Sequence, residues 1–168
     1  MKPNCDKRRK RQRGNALIEA GLVGPVMFLM LSGVIDFGRA FYYTDAAASA
    51  ARAGAQYGIQ SPANFNNYVG MEIAALNDAN AACTNSSGTS VACNPAQSGQ
   101  QAYIGPYKFS ATASSYCKDL SGNTVACTSS NARGYVKVVA SIPYNLIIPW
   151  PGLPNPLAIG GLAVMRTK

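Results

Sequence analysis

The sequence predicts an α+β protein: a long N-terminal transmembrane and amphipathic helix, a short second helix, and a small antiparallel sheet with disulfide-closed hairpins. Three observations carry this prediction. Residues 15–35 are apolar with a single charge, Glu19. Four cysteines fall in two copies of one frame, 83–93 and 117–127, each with a Ser-Gly turn signal near its centre. Beyond about residue 100 the apolar residues come in short β-branched runs separated by Gly and Pro, not at helical spacing.

The charge distribution separates a leader from the rest. Of 168 residues, 15 are Lys or Arg and 7 are Asp or Glu, a net charge of +8. Residues 1–14 carry seven bases and one acid, while residues 15–168 carry eight bases and six acids, so +6 lies in the leader and +2 elsewhere. The folded part therefore lacks the basic face that nucleic acid requires, and no nucleic-acid partner is expected. Histidine is absent. That excludes Ser-His-Asp and Cys-His catalysis, histidine-ligated zinc and HExxH helices. Without a nucleophile–base pair, a metal cluster or a Gly-rich phosphate loop, the chain reads as a non-enzyme with no cofactor, no metal and no small-molecule substrate.

The first element follows the leader. Twenty-one residues from Asn15 to Ile35 form a helix of roughly 31 Å, enough to cross a bilayer core, closed by Asp36 and Arg39. A cleaved secretory signal would have a shorter apolar region followed by an A-x-A-like site; here Ser32-Gly33 lies inside the run, so the span is expected to be retained. The basic flank places the N-terminus in the cytoplasm and the remainder outside. From Asp36 to Gly58 there is no proline, and Asp45, Ser49, Arg52, Gln56 and Gln60 recur at spacings of 4, 3, 4 and 4, one stripe of a helix. Ala46, Ala50, Gly54 and Gly58 make a second stripe whose small side chains let another backbone or a sheet approach closely. A continuous helix over 15–58 would be about 66 Å long, and Pro25 should kink it. The expected division is a leader (1–14), the transmembrane and extended helix (15–58) and an extracytoplasmic α+β domain (59–168). Glu19 is costly near the start of an apolar helix unless paired.

In the outward part, Ser61-Pro62 has cap and first-turn chemistry for a helix reaching about Asn80, with Phe65, Tyr68, Val69, Ile73 and Leu76 as its apolar face. Tyr103–Tyr116, Thr124–Cys127, Tyr135–Tyr144 and Leu157–Arg166 read as strands of a three- to five-stranded sheet. The two cysteine segments share the frame C-x-x-x-S-G-x-[ST]-V-A-C. A hairpin stapled across its base pairs Cys83 with Cys93 and Cys117 with Cys127, one of the three pairings that four cysteines allow. Zinc bound by four thiolates is the rival reading, but its pairs are usually spaced C-x₂₋₄-C, and nine residues separate these. The four outer cysteines suit an oxidising compartment. The Pro-rich segment 149–156 belongs outside the sheet, and Trp150 within it either packs its own loop or docks a partner. Glu72 and Asp78, six residues apart, share no helix face for acid–base work.

These residues resemble a known family. A basic leader ending in Gly14, then Asn15-Ala16-Leu17-Ile18, then Glu19 and an apolar helix is the type IV prepilin pattern. The string from Arg13 to Glu19, Gly24-Pro25 and the run from Val34 to Tyr42 resemble the TadE-like (TadE/TadG) proteins of the Flp, or tight-adherence, pilus system; Ala50 to Ala55, Tyr135-Val136-Lys137-Val138-Val139 and Pro149-Trp150-Pro151-Gly152-Leu153 continue the likeness. It is dense over residues 12–58, recurs over about 135–166 and is weak between. The resemblance implies a minor pilin or pseudopilin taking part in assembly of a bacterial Flp type IV pilus. It would be single-pass in the inner membrane with a periplasmic C-terminal domain. Prepilin peptidase would cut between Gly14 and Asn15, leaving 154 residues, and Glu19 would engage the freed N-terminal amine of a neighbouring chain. The implied partners are the inner membrane, the prepilin peptidase, other pilins or pseudopilins and the pilus assembly platform. The chain departs from the Flp pattern at Ala20, where an aromatic residue usually follows the glutamate. The alternative reading is an uncleaved, membrane-anchored envelope module that recruits partners or surface ligands.

Overall fold

The computed structural model describes residues 5–148 and 151–167, with side chains from residue 16 onward. The chain divides into two compact units, Met1–Arg39 and Ala40–Lys168. Helix α1 runs Cys5–Gln60 as one hydrogen-bonded element, with Pro25 inside it. A 3₁₀ turn at Pro62–Asn64 leads to α2, Tyr68–Asp78. Seven strands follow: β1 (Ala82–Thr84), β2 (Ser90–Val91), β3 (Gln101–Ile104), β4 (Tyr107–Lys118), β5 (Thr124–Val125), β6 (Arg133–Tyr144) and β7 (Leu157–Arg166). They form one antiparallel sheet in the order β2-β1-β3-β4-β6-β7, with β5 paired to the far end of β4.

Within the unit that starts at Ala40, residues 40–60 of α1 lie on the inner face of the sheet. The polar stripe Asp45, Ser49, Arg52, Gln56 and Gln60 is exposed throughout. Ala47, Ala50, Ala51 and Ala55 are fully buried, and Gly54 and Gly58 are buried beside them. The approach is close enough to exclude side chains. A Cβ on Gly54 would lie 2.7 Å from the Met71 carbonyl oxygen, and one on Gly58 would lie 2.7 Å from Met71 Cε. From the sheet side, a Cβ on Gly161 of β7 would collide with the backbone of Ala47 and Ala48. Strand β6 supplies the floor: Val136, Val138, Ala140, Ile142 and Tyr144 alternate inward and are fully buried, the period of 2 that a half-buried strand demands. Tyr107 and Phe109 from β4 and Met71, Ala75 and Leu76 from α2 complete the core.

Three details differ from the sequence expectation. The segment 61–80 is not one helix. Ser61 makes no side-chain cap, the chain turns at Pro62–Asn64, and α2 starts afresh where the Asn67 side chain accepts the Gly70 N–H. A second cap therefore won over the first. Its buried face is Met71, Ala75 and Leu76, while Tyr68 and Val69 are exposed. The expected strand 103–116 is broken by a two-residue turn, because Gly105 at φ 59 followed by Pro106 makes the tight turn that lets Ile104 pair with Tyr107. The sheet accordingly has seven strands among the described residues, not three to five; two of them, β2 and β5, are two-residue partners inside the cysteine hairpins.

Both edges of β4 have partners over part of its length. β6 takes one. On the other, β3 and β5 pair with its two ends, and α2 serves the gap between them. Glu72 Oε1 accepts the Ala113 N–H at 3.1 Å, and the Tyr68 hydroxyl lies 2.8 Å from Ser115 Oγ. Asp78 instead accepts the Ser49 hydroxyl at 2.8 Å, tying α2 to α1.

The backbone-distance packing predicts a sharp contrast among glycines. Gly54→Leu and Gly161→Val should each destabilise the detergent-solubilised protein by about 2 kcal/mol or more, the cost of overpacking against atoms that cannot move aside. Gly21→Ala and Gly24→Ala, where an added Cβ meets nothing within 4 Å, should leave the thermal midpoint of the sheet's circular-dichroism signal unchanged.

Candidate functional site

Two regions carry the residues that the sequence singles out. The first is the N-terminal unit. Leu17, Ile18, Leu22, Phe28 and Met30 are each at least 70 % exposed. The six consecutive residues Val26–Leu31 are all exposed, and at 100° per residue they cover every face of the helix. A helix that is apolar all round belongs in a core or in lipid. Covering a dozen such side chains with an apolar medium is worth, at about 1.5–3 kcal/mol each, on the order of 20 kcal/mol or more. The helix is long and apolar enough to cross a membrane, with an 18-residue window of mean hydropathy 1.9 of which none is buried.

Gly14 and Asn15 lie within α1, and their side chains fall outside the described residues. Glu19 is exposed, one helical turn beyond Asn15, on an otherwise apolar surface. Trp150 also falls outside the described residues. The sequence reading gave Asp36 no role beyond ending the apolar run, yet it is buried at 1 % exposure. A lone acid after an apolar stretch offers no signal for that. Nor did the sequence announce the ring cluster of Tyr43 with Tyr107 at 5.0 Å and Tyr144 at 5.9 Å, which joins residues about 40 to 100 positions apart in the chain.

The second region is the pair of cysteine hairpins. Cys83–Cys93 and Cys117–Cys127 are both disulfides, with Cα–Cα distances of 5.2 and 5.1 Å, inside the usual range. The repeated frame is a repeated structure. Asn85, two residues after the first cysteine, accepts the N–H groups of Ser87 and Thr89 on Oδ1; Asp119, two residues after the other, accepts those of Ser121 and Asn123. Gly88 and Gly122 occupy matching positive-φ positions. The four thiols are committed to these two bonds. Among the described residues, no group of three or more His, Cys, Asp or Glu is placed to hold a metal ion.

A cleft of about 390 Å³ lies beside the second hairpin, lined by Gln60, Pro62, Phe65, Cys127, Gly134 and Thr167 among others. None of its lining residues carries an acid or base; its polar side chains are the amide of Gln60 and the hydroxyls of Ser61 and Thr167.

With this geometry in view, the family described as TadE-like protein matches residues 14–56. The match spans Gly14, Asn15, Glu19, the whole exposed apolar run and the first part of the small-residue face, in line with the resemblance read from residues 12–58. No curated protein and no solved structure matches the chain.

The second hairpin carries two titratable groups, Lys118 and Asp119, where the first has Thr84 and Asn85. The Asp119 carboxyl is held below its usual range, first by the Asn123 backbone N–H, against a smaller desolvation effect, and then by the Asn123 side chain and the N–H groups of Ser121 and Gly122. A carboxyl lowered in the folded state supports its turn above the unfolded pKa and loses that support as pH falls through the folded one. Amide chemical shifts from about pH 5 to about pH 2 should therefore move at Asn123 below the ordinary aspartate range, whereas Thr89, held by the Asn85 amide, should stay still.

Proposed function

We propose that this protein is a TadE-like minor pilin or pseudopilin of the Flp pilus machinery. The observation that carries the reading is the exposed apolar helix with one acid, Glu19, a single turn past Gly14-Asn15, inside the segment that matches the TadE-like family. The helix holds the chain in the inner membrane, and the bases of residues 1–14 keep its start in the cytoplasm. Prepilin peptidase hydrolyses the Gly14–Asn15 peptide bond, which leaves a free ammonium on Asn15. When spans pack side by side, the Glu19 carboxylate of one chain accepts hydrogen bonds from the ammonium of the next, so neither charge stays uncompensated in a low-dielectric layer. Ala40–Lys168, with its two disulfides, is then presented outside the membrane to other pilins and the assembly platform.

A second reading, an uncleaved envelope module that recruits partners, draws on Ala20, where the Flp pattern carries an aromatic residue. The two separate at the N-terminus. Protein extracted from membranes of a host with active prepilin peptidase should begin at Asn15 by N-terminal sequencing and intact mass; a chain that still begins at Met1 would establish the second reading instead. Glu19→Gln should still be cleaved but should be lost from the sheared pilus fraction.

A further inference from the structure

We propose that the outer face of the sheet, at the end where Lys118, Arg133 and Arg166 meet, binds an anionic polysaccharide through its carboxylate or phosphate groups. The near-neutral charge of residues 15–168 conceals a segregation. The seven strands carry five bases, Lys108, Lys118, Arg133, Lys137 and Arg166, and no acid. All five alternate with inward-facing residues and so share the outer face. Four of them gather at one end. Lys118 is directly opposite Arg133, Tyr135 lies between Tyr116 and Arg166, and Lys137 is opposite Ser114. Lys108 stands apart, ten residues away at the other end of β4.

Like charges directly opposite on adjacent strands repel, and nothing in the chain relieves the pair Lys118–Arg133. Among the described residues no carboxylate forms an ion pair with any of the four bases. Asp119, next to Lys118 in sequence, turns its carboxylate to its own hairpin, where it accepts from the Ser121 and Asn123 N–H groups and the Asn123 amide. Lys168 lies outside the described residues. Arg133 and Arg166 also line one cleft of about 270 Å³, together with Ala132, Gly134 and Thr167. Two guanidinium groups on one cleft suit an oxyanion, which each can hold in a planar fork.

The bases form a track and not a point. Lys137 is four residues along β6 from Arg133, about 13 Å, a distance that calls for a chain with repeated anionic groups. The aromatic rings within the track favour a glycan over nucleic acid. Single-stranded nucleic acid is gripped by bases stacked on free ring faces. Tyr116 and Tyr135 instead stack on each other at 5.5 Å and 11°, with Lys118 Nζ 5.8 Å over the Tyr116 ring. Exposed Val164, opposite Lys137, adds apolar surface for the C–H faces of sugar rings. A protein interface is depleted of lysine and of charge at its core, whereas here the bases lie at the centre of the patch.

The test titrates the full chain in detergent with polygalacturonate, phosphorylated dextran, plain dextran and oligodeoxythymidine, by biolayer interferometry. Binding to at least one of the two anionic polysaccharides is expected, weakening as salt rises, with none to plain dextran. Arg133→Gln/Arg166→Gln should raise the Kd at least tenfold at an unchanged thermal midpoint, and Lys137→Gln alone should raise it several-fold. Replacing the seven bases of residues 1–14 by glutamine should leave the Kd within about threefold, which separates this face from the leader. Binding that is lost with the leader bases and indifferent to both sheet variants overturns the proposal. So does the absence of binding to either anionic polysaccharide, and so does tighter binding of oligodeoxythymidine, which would make the face a nucleic-acid site.

Discussion

A helix can approach its neighbours at backbone distance only where side chains are missing at the contact, and α1 does so at Gly54, against the Met71 carbonyl of α2, and at Ala47 and Ala48, against Gly161 of β7. Gly54 and Gly58 on α1 face Met71 and β6, and Gly161 on β7 faces Ala47 and Ala48. Everything else is arranged around that contact. With alanine filling the rest of the helix face, the bulk of the core comes from the other side, through Val136, Val138, Ile142 and Tyr144 of β6 and Met71 of α2. Small residues remove the usual stagger between ridges and grooves, so dispersion contacts run from backbone to backbone and tolerate little change in volume. They also explain why the helix persists despite its glycines. Each costs about 1 kcal/mol of helix propensity, and the packing that only a glycine permits offsets it.

A sheet packed on one helix and a half-length second helix has a thin core, and the peripheral strands show how it is kept closed. Only β4, β6 and β7 are long. The outer strands are short, and an unpaired stretch of β4 would present a row of free backbone donors and acceptors. Glu72 of α2 takes the Ala113 N–H of that stretch, and the short peripheral hairpins are each held by a disulfide, a covalent bond instead of apolar area. A chain-entropy estimate of about 2–3 kcal/mol for each ten-residue closure is a large share of what a domain of this size retains in net stability.

The parts that were readable in the sequence are those where a local pattern and the tertiary demand coincide. The stripe from Asp45 to Gln60 is exposed, and its neighbour Ala46, Ala50, Gly54 and Gly58 is half-buried at Ala46 and buried at the other three, because period 3.6 alone sorts them. β6 alternates cleanly because one face is core and the other solvent. The cysteine pairing followed from a frame repeated with its turn signal. What was misread depends on competition between local signals or on distant partners. Ser61-Pro62 and Asn67 both start helices, and only the second runs on, since α2 must aim Met71 at Gly58. Gly105-Pro106, a turn dipeptide, sits inside a β-rich run whose propensity masks it. Glu72 and Asp78 share no helix face in the sequence, and the partner of Glu72, the Ala113 N–H, is 41 positions away, farther than any spacing rule reaches. The Tyr43–Tyr107–Tyr144 cluster is hidden for the same reason.

The helix carries two opposite side-chain patterns on one backbone, and the physics of the backbone permits this. An α-helix satisfies its own N–H and C=O groups, so it is indifferent to whether water, lipid or a sheet surrounds it; only the side chains must change. From Leu17 to Tyr42 the large apolar side chains are exposed. From Asp45 onward they split into a polar stripe and a stripe of Ala and Gly. A soluble helix would have spread its large apolar residues onto the sheet face, and a span would have carried no polar stripe at all. The switch over residues 36–45 therefore marks a change of surroundings written in residue size as well as polarity, and the two patterns, which answer to different constraints, locate it at the same turn or two of helix.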